Sequence, residues 1–192
     1  MSKIEETRKS LKEYGLKNNI PLICDQGLEF ILNLIKIREV KSILEVGTAI
    51  GYSSLCFYND KITIIDTIER NNDLFSISNS YLKPLKVPIN LILACALEYK
   101  LDKKKKYDLI FIDAAKAQYE KFFIKYKEYL NHDGIIVCDN LNFHNLDISQ
   151  VGKNTKQLLR KINKFKDFLK DNQEFNTEFF STGDGISVSI RK

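Results

Sequence analysis

Two acids close apolar runs in this sequence. Asp113 ends Leu109-Ile-Phe-Ile-Asp113, and Asp139 ends Gly134-Ile-Ile-Val-Cys-Asp139, with Asn140 next in the chain. Two carboxylates and an amide are hard oxygen donors, which suit Mg²⁺, Mn²⁺ or Ca²⁺ rather than zinc. One acid at a strand tip is commonly a helix N-cap, and Asp113 before Ala114-Ala-Lys116 fits that role alone. Two acids and an amide converging on one cleft are harder to explain that way. Lys116 opens the next helix, where a cation opposes the helix dipole, and that mismatch favours a chemical role. Upstream, Glu45-Val-Gly47-Thr-Ala-Ile-Gly51-Tyr-Ser53 combines two glycines with a helix start, a turn that lets backbone approach a ligand. Glu69 lies 22 residues beyond Gly47. An acid at about that separation, ~20 residues on, is placed to accept both ribose hydroxyls of an adenosine-containing cofactor.

These residues need elements to hold them. From Lys41 onward the chain repeats strand, turn and helix, with strands expected at Ser42–Val46, 61–68, 88–93, Tyr107–Ile112 and 134–138. Helices are expected from Tyr52, through about Leu82, over 116–130 and over 151–170. In helix 116–130, Tyr119, Phe122, Phe123, Tyr126 and Leu130 share one face. Two further strands, about 174–180 and 185–191, flank Ser181-Thr-Gly-Asp-Gly185, and the alternation Ile186-Ser-Val-Ser-Ile190 marks the last as antiparallel. The first forty residues read as two helices, 3–14 and 25–38, interrupted at Pro21. The fold class is therefore α/β: a doubly wound, mostly parallel seven-stranded sheet with an antiparallel last strand. Right-handed crossovers put the site outside the carboxyl ends of the strands, where Glu69, Asp113 and Asp139 fall.

Length and composition suit a single domain spanning 1–192, with 1–40 as a helical cover: 192 residues, 44% hydrophobic, and no linker between candidate halves. The longest apolar runs are strand-sized, so no membrane partner is expected. The start, Met1-Ser-Lys-Ile-Glu-Glu, lacks an apolar signal segment. Cys24, Cys56, Cys95 and Cys138 form no C-x-x-C pair and read as free thiols, which points to the cytoplasm. The net charge of +5 fits a polyanionic partner and fits equally a chain rich in lysine throughout. Lys103 to Lys106 reads as a solvated loop. A homodimer is compatible with the sequence.

The segments ILEVGTAIGYSSL, TIER, YDLIFIDAAKAQYEKFF and GIIVCDNL, in this order, closely resemble the cation-dependent O-methyltransferases. That family includes catechol and caffeoyl-CoA O-methyltransferases and a bacterial branch acting on tRNA, and the likeness runs from about Pro21 to Lys192. It implies a class I methyltransferase (Rossmann-like) fold and S-adenosylmethionine as cofactor, a choice between that molecule and NAD that the glycine turn and Glu69 leave open. By the same implication Glu45, Gly47 and Ser53 hold the methionine part, Glu69 the ribose, and Ile23 sits in a covering segment. Ala94-Cys95-Ala96 flanks the adenine where the family usually has Gly-Asp-Ala. A thiol at Cys95 is a weak hydrogen-bond substitute for the carboxylate, a loss of ~1 kcal/mol. Asp113, Asp139 and Asn140 match ligands of Mg²⁺ (or Mn²⁺), and Lys116 with Asp113 matches the catalytic pair.

Methyl transfer needs a nucleophilic oxygen, and a phenol-like hydroxyl of pKa about 10 is mostly protonated at neutral pH. A divalent ion chelating that oxygen and a neighbour favours the oxyanion, and Lys116 is placed to take the proton or steady the charge. Such a site selects adjacent oxygens, found in catechols and in 5-hydroxyuracil. The bacterial branch methylates 5-hydroxyuridine at the tRNA wobble position, giving 5-methoxyuridine. For this chain the expected partner is accordingly the tRNA anticodon loop, whose bases are reached without melting a duplex. Helix 151–170 places Leu158, Ile162, Phe165 and Leu169 on one face and Lys153, Lys156, Arg160 and Lys164 on the other. That second face is either a solvated back or a phosphate-contacting stripe. His144, just beyond Asn140, is a candidate substrate contact or an ordinary loop histidine. The alternatives are an O-methyltransferase of small catechols, and a silent nucleotide- or RNA-binding module, against which intact Asp113, Lys116, Asp139 and Asn140 count.

Overall fold

The computed structural model describes residues 2–142 and 152–192; His144 lies outside them. Seven strands form one sheet in the order β3-β2-β1-β4-β5-β7-β6. They are β1 (Ser42–Val46), β2 (Ile64–Glu69), β3 (Ile89–Leu93), β4 (Tyr107–Ile112), β5 (Leu130–Cys138), β6 (Phe175–Phe180) and β7 (Ile186–Arg191). The first five run parallel, and β7 pairs antiparallel with both β5 and β6. The helices are α1 (Lys3–Lys17), α2 (Asp25–Ile37), α3 (Tyr52–Phe57), α4 (Asn72–Leu82), α5 (Tyr119–Tyr126) and α6 (Lys153–Lys170). No helix among the described residues is long and apolar enough to cross a membrane, and all four cysteines are free.

Both faces of the sheet are covered. Ile43, Ile65, Leu109 and Ile135 pack with the α1–α3 layer, while Leu44, Ile110, Ile136 and Cys138 pack with α5 and α6. The alternation along each strand sends neighbouring apolar side chains to opposite cores, which is why these strands read as continuous hydrophobic runs. Edge-to-face contacts of Phe165 with Tyr119 at 5.6 Å and with Phe123 at 6.3 Å lock α6 onto α5.

Three expectations are corrected. Leu130 is the first residue of β5, not the end of a helix: α5 stops at Tyr126, a 3₁₀ turn covers Lys127–Tyr129, and β5 begins opposite Tyr107. In α6, Leu159 joins Ile162, Phe165 and Leu169 in the core and Leu158 is only partly covered. The lysine run is not wholly solvated, because Lys105 Nζ donates at 2.5 Å to the fully buried Asp66, which also accepts from Asn90 at 2.9 Å and from the Tyr107 hydroxyl.

Candidate active site

The strand tips are registered by the sheet itself. Each parallel ladder continues one residue past the strand. The Gly47 N–H donates to Ile68 O (3.0 Å), Asp113 N–H to Val46 O (3.0 Å), Ala94 N–H to Glu69 O (2.8 Å) and Asp139 N–H to Ile112 O (3.3 Å). Backbone hydrogen bonds thus place a glycine turn, two acids and the 94–99 loop at one end of the sheet. A cavity of about 620 Å³ opens there. Gly47, Ser53 and Glu69 line one side, Cys95 and Ala96 another, and Asp113 and Lys116 a third. Ile20 to Ile23, between α1 and α2, also line it.

Glu69 is almost fully buried. Its Oε2 accepts from Ala49 N–H at 2.9 Å, and its Oε1 from Arg70 and Asn71 N–H at 2.9 and 2.8 Å. These bonds hold the carboxylate rigidly at the cavity wall with lone pairs left for a diol.

Glu45 does not line the cavity. In β1 it shares the α1–α3 face with Ile43, beside Thr67 of β2 in register. Its carboxyl accepts from Ser53 Oγ at 2.5 Å, from Ser54 Oγ, and from Thr67 Oγ1 at 2.5 Å. Burial pushes its pKa up, against the opposing pull of these hydroxyls. Glu45 therefore clamps the start of α3, including Ser53, from behind.

Asp113 lines the cavity, whereas Asp139, 1% exposed, and Asn140 are not among its lining residues. Burial first, then the Asp113 charge, pushes Asp139 up to about 7. Burial also raises Asp113, to about 6, against the favourable charge of Lys116. The Asp113 charge thus disfavours ionisation of the buried Asp139, an effect that a nearby cation would relieve. Asn140 has φ of +63°, a conformation asparagine tolerates, and its N–H donates to Asp139 Oδ1 at 2.7 Å. The Tyr119 hydroxyl donates to Asp139 O at 3.0 Å. Among the described residues no three His, Cys, Asp or Glu side chains form a metal-holding group. The oxygen donors of Asp113, Asp139 and Asn140 are of the chemical type that a hard divalent cation takes.

Two residues escaped the sequence reading. Asp184, in the β6–β7 turn, also raises both Asp113 and Asp139 by its charge. The turn docks there through Leu141 N–H to Gly185 O and Asn142 N–H to Asp184 O, both 2.8 Å; the Gly-Asp-Gly pattern was its only signal. Lys125 reaches from α5 to the loop behind Cys95, a contact no local pattern reveals.

A sequence profile of the O-methyltransferase family matches residues 2–192. A caffeoyl-CoA O-methyltransferase from Populus kitakamiensis is 27% identical over 94% of this chain and 82% of its own length. A crystal structure from Staphylococcus aureus, assigned as a caffeoyl-CoA O-methyltransferase, is 36% identical with a TM-score of 0.90, covering 96% of this chain and 92% of that one. The fold is shared with a Bacillus cereus O-methyltransferase crystallised with SAH (S-adenosylhomocysteine), at TM-score 0.81, 19% identity and coverage of 97% and 91%. With its class I methyltransferase sheet and strand-end cleft, the chain belongs to the O-methyltransferase family and is an enzyme of that class.

Proposed function

We propose that this enzyme uses S-adenosylmethionine and a divalent cation to methylate 5-hydroxyuridine in the anticodon loop of tRNA. The cavity supports the donor: a glycine turn, a fixed carboxylate and an apolar slot are what an adenosyl group and its ribose require. S-adenosylmethionine, when bound, supplies an electrophilic methyl group on its sulfonium. Glu69 accepts the ribose hydroxyls, and Ser53, braced by Glu45, faces the amino-acid end. Ile20 to Ile23 exclude water above it. Asp113, Asp139 and Asn140 are the residues that would hold Mg²⁺ or Mn²⁺, which would supply the Lewis acidity that lowers the acceptor's pKa. Lys116, at the wall beside Asp113, steadies the negative charge on the attacking oxygen.

The donor assignment has a direct test. Glu69→Ala should weaken S-adenosylhomocysteine binding about tenfold or more by calorimetry, with two ribose hydrogen bonds to a charged acceptor lost. Tighter binding of NAD than of S-adenosylhomocysteine would overturn the assignment.

The observation that carries the tRNA reading is the charge on α6. This helix holds seven of the chain's 30 Lys and Arg but only one of its 25 Asp and Glu, so the remaining residues carry a net −1. The whole positive excess of the protein sits on one helix. Its buried row packs on α5, and Arg160, Lys161 and Lys164 are exposed on the other side. Such a stripe attracts phosphates by counterion release. Replacing Lys156, Arg160 and Lys164 together by alanine should weaken tRNA binding and flatten its salt dependence by up to about three units of log–log slope. Methylation of a free catechol should be unchanged in the same variant. The second reading, a small-catechol substrate, is favoured by the likeness to caffeoyl-CoA O-methyltransferases. It prevails if tRNA carrying 5-hydroxyuridine gains no methyl group while a catechol is turned over.

A further inference from the structure

The wall behind Cys95 is built by a contact outside the family motifs. Lys125 Nζ, on the last turn of α5, donates to three backbone carbonyls of one loop: Ala96 at 2.8 Å, Leu97 at 2.9 Å and Tyr99 at 2.6 Å. The neighbouring Tyr126 hydroxyl donates to the same Ala96 O at 2.6 Å. Inside the loop, Cys95 O accepts from Glu98 and Tyr99 N–H at 2.9 and 2.8 Å. Cys95, Ala96 and Leu97 line the cavity on the other side of this knot.

An ammonium has three donors, and here all three go to carbonyls. Three carbonyl oxygens gathered at one point repel each other unless a cation lies between them. We infer that Lys125 is a positioning residue for the methyl donor: its ammonium gathers the Ala96, Leu97 and Tyr99 carbonyls and so fixes the nucleobase wall of the cavity. The inference rests on reading that cavity as the S-adenosylmethionine site.

Two further features give the contact weight. Cys95 offers only a weak hydrogen bond, so recognition on this side depends on the shape and backbone of the loop. The other end of the same helical segment begins at Lys116, which lines the cavity too. One continuous segment therefore carries both the wall-setting ammonium and the lysine whose charge acts on Asp113 and Asp139. Lys125 is half-buried, and burial lowers its pKa while the charges of Cys95 and Glu98 act against that fall.

The test uses the full chain and two readouts. In ligand-free Lys125→Met, hydrogen exchange at the Glu98 and Tyr99 amides should quicken at least about tenfold while β4 stays protected, because three charge-assisted bonds are lost. By calorimetry, Kd for S-adenosylhomocysteine should rise roughly tenfold or more. KM for the donor should follow, with kcat at saturating donor within about twofold of wild type, a split that general loosening does not produce. Lys125→Arg should recover most of both losses, since a guanidinium also donates to carbonyls. Tyr126→Phe, removing one neutral bond, should show a smaller change in the same direction. If Lys125→Met fails to fold, these last two variants carry the test through the same readouts. A folded Lys125→Met protein with wild-type exchange in the loop and wild-type Kd overturns the inference. A wild-type protein that gives no heat with S-adenosylhomocysteine overturns the donor reading instead, and the inference falls with it.

Discussion

Turnover of Asp139→Ala is expected to drop by about a thousandfold while the protein stays folded, the several kcal/mol of transition-state stabilisation that a Lewis acid supplies. The Asp139 peptide groups are held apart from the side chain, the N–H by Ile112 O and the carbonyl by the Tyr119 hydroxyl, and the side chain's own backbone bond is the one it accepts from Asn140 N–H. The side chain itself is buried and repelled by the Asp113 charge. Without added metal, Asp139→Ala relieves that repulsion but loses the bond from Asn140 N–H, so it should melt within a few degrees of wild type, about 1 kcal/mol either way. Mg²⁺ or Mn²⁺ should raise the wild-type melting temperature by mass action and leave the variant unmoved. EDTA should stop turnover and added metal restore it. Full activity in chelator would show that the two carboxylates are structural.

The second large effect is expected at Gly47. Its φ is +107°, and a Cβ built there would stand 2.0 Å from Asp113 O and 2.8 Å from Asp113 C. The atoms in the way are backbone, pinned by the Asp113 N–H bond to Val46 O, so no rotamer change relieves the clash. Gly47→Ala must either push β1 from β4 at their tips or rotate the turn out of the left-handed region. Strain and overpacking together should cost about 2–5 kcal/mol, a fall in melting temperature of roughly 5–15 °C. Binding of S-adenosylhomocysteine should become undetectable by calorimetry, since the displaced turn and Asp113 border the same cavity. A Gly47→Ala protein that binds within threefold of wild type would show that the close approach is dispensable.

What the amino-acid sequence revealed follows from where its signals are local. Apolar runs ending in Glu69, Asp113 and Asp139 mark strand tips, and parallel connections bring such tips together wherever the crossovers fall. The facing of Glu45 was illegible for the converse reason. Both sides of a covered parallel sheet are apolar, so alternation carries no inside or outside label, and only the packing of α3 decides which side receives the acid. Lys105 with Asp66 lies 39 residues apart and Lys125 with Ala96 lies 29 apart. Neither pairing has a periodicity to betray it. Leu130 was misplaced because its helical spacing from Tyr126 is genuine, while the 3₁₀ turn between them breaks the helix without a glycine or proline to mark the break.

The order β5-β7-β6 also sets a constraint on biosynthesis. β7 lies inside the sheet, yet it is made after both strands it joins, and Ile186 follows Cys138 by 48 residues. At ribosomal rates of ~5–20 residues per second, the β5 edge stays without its partner for about 2–10 s. During that interval Ile135, Ile136 and Val137 present unpaired backbone and apolar side chains together, the combination that recruits stray strands from other nascent chains. The protein is thus most exposed to aggregation while still on the ribosome, and codon choice between β5 and β7 sets how long that exposure lasts.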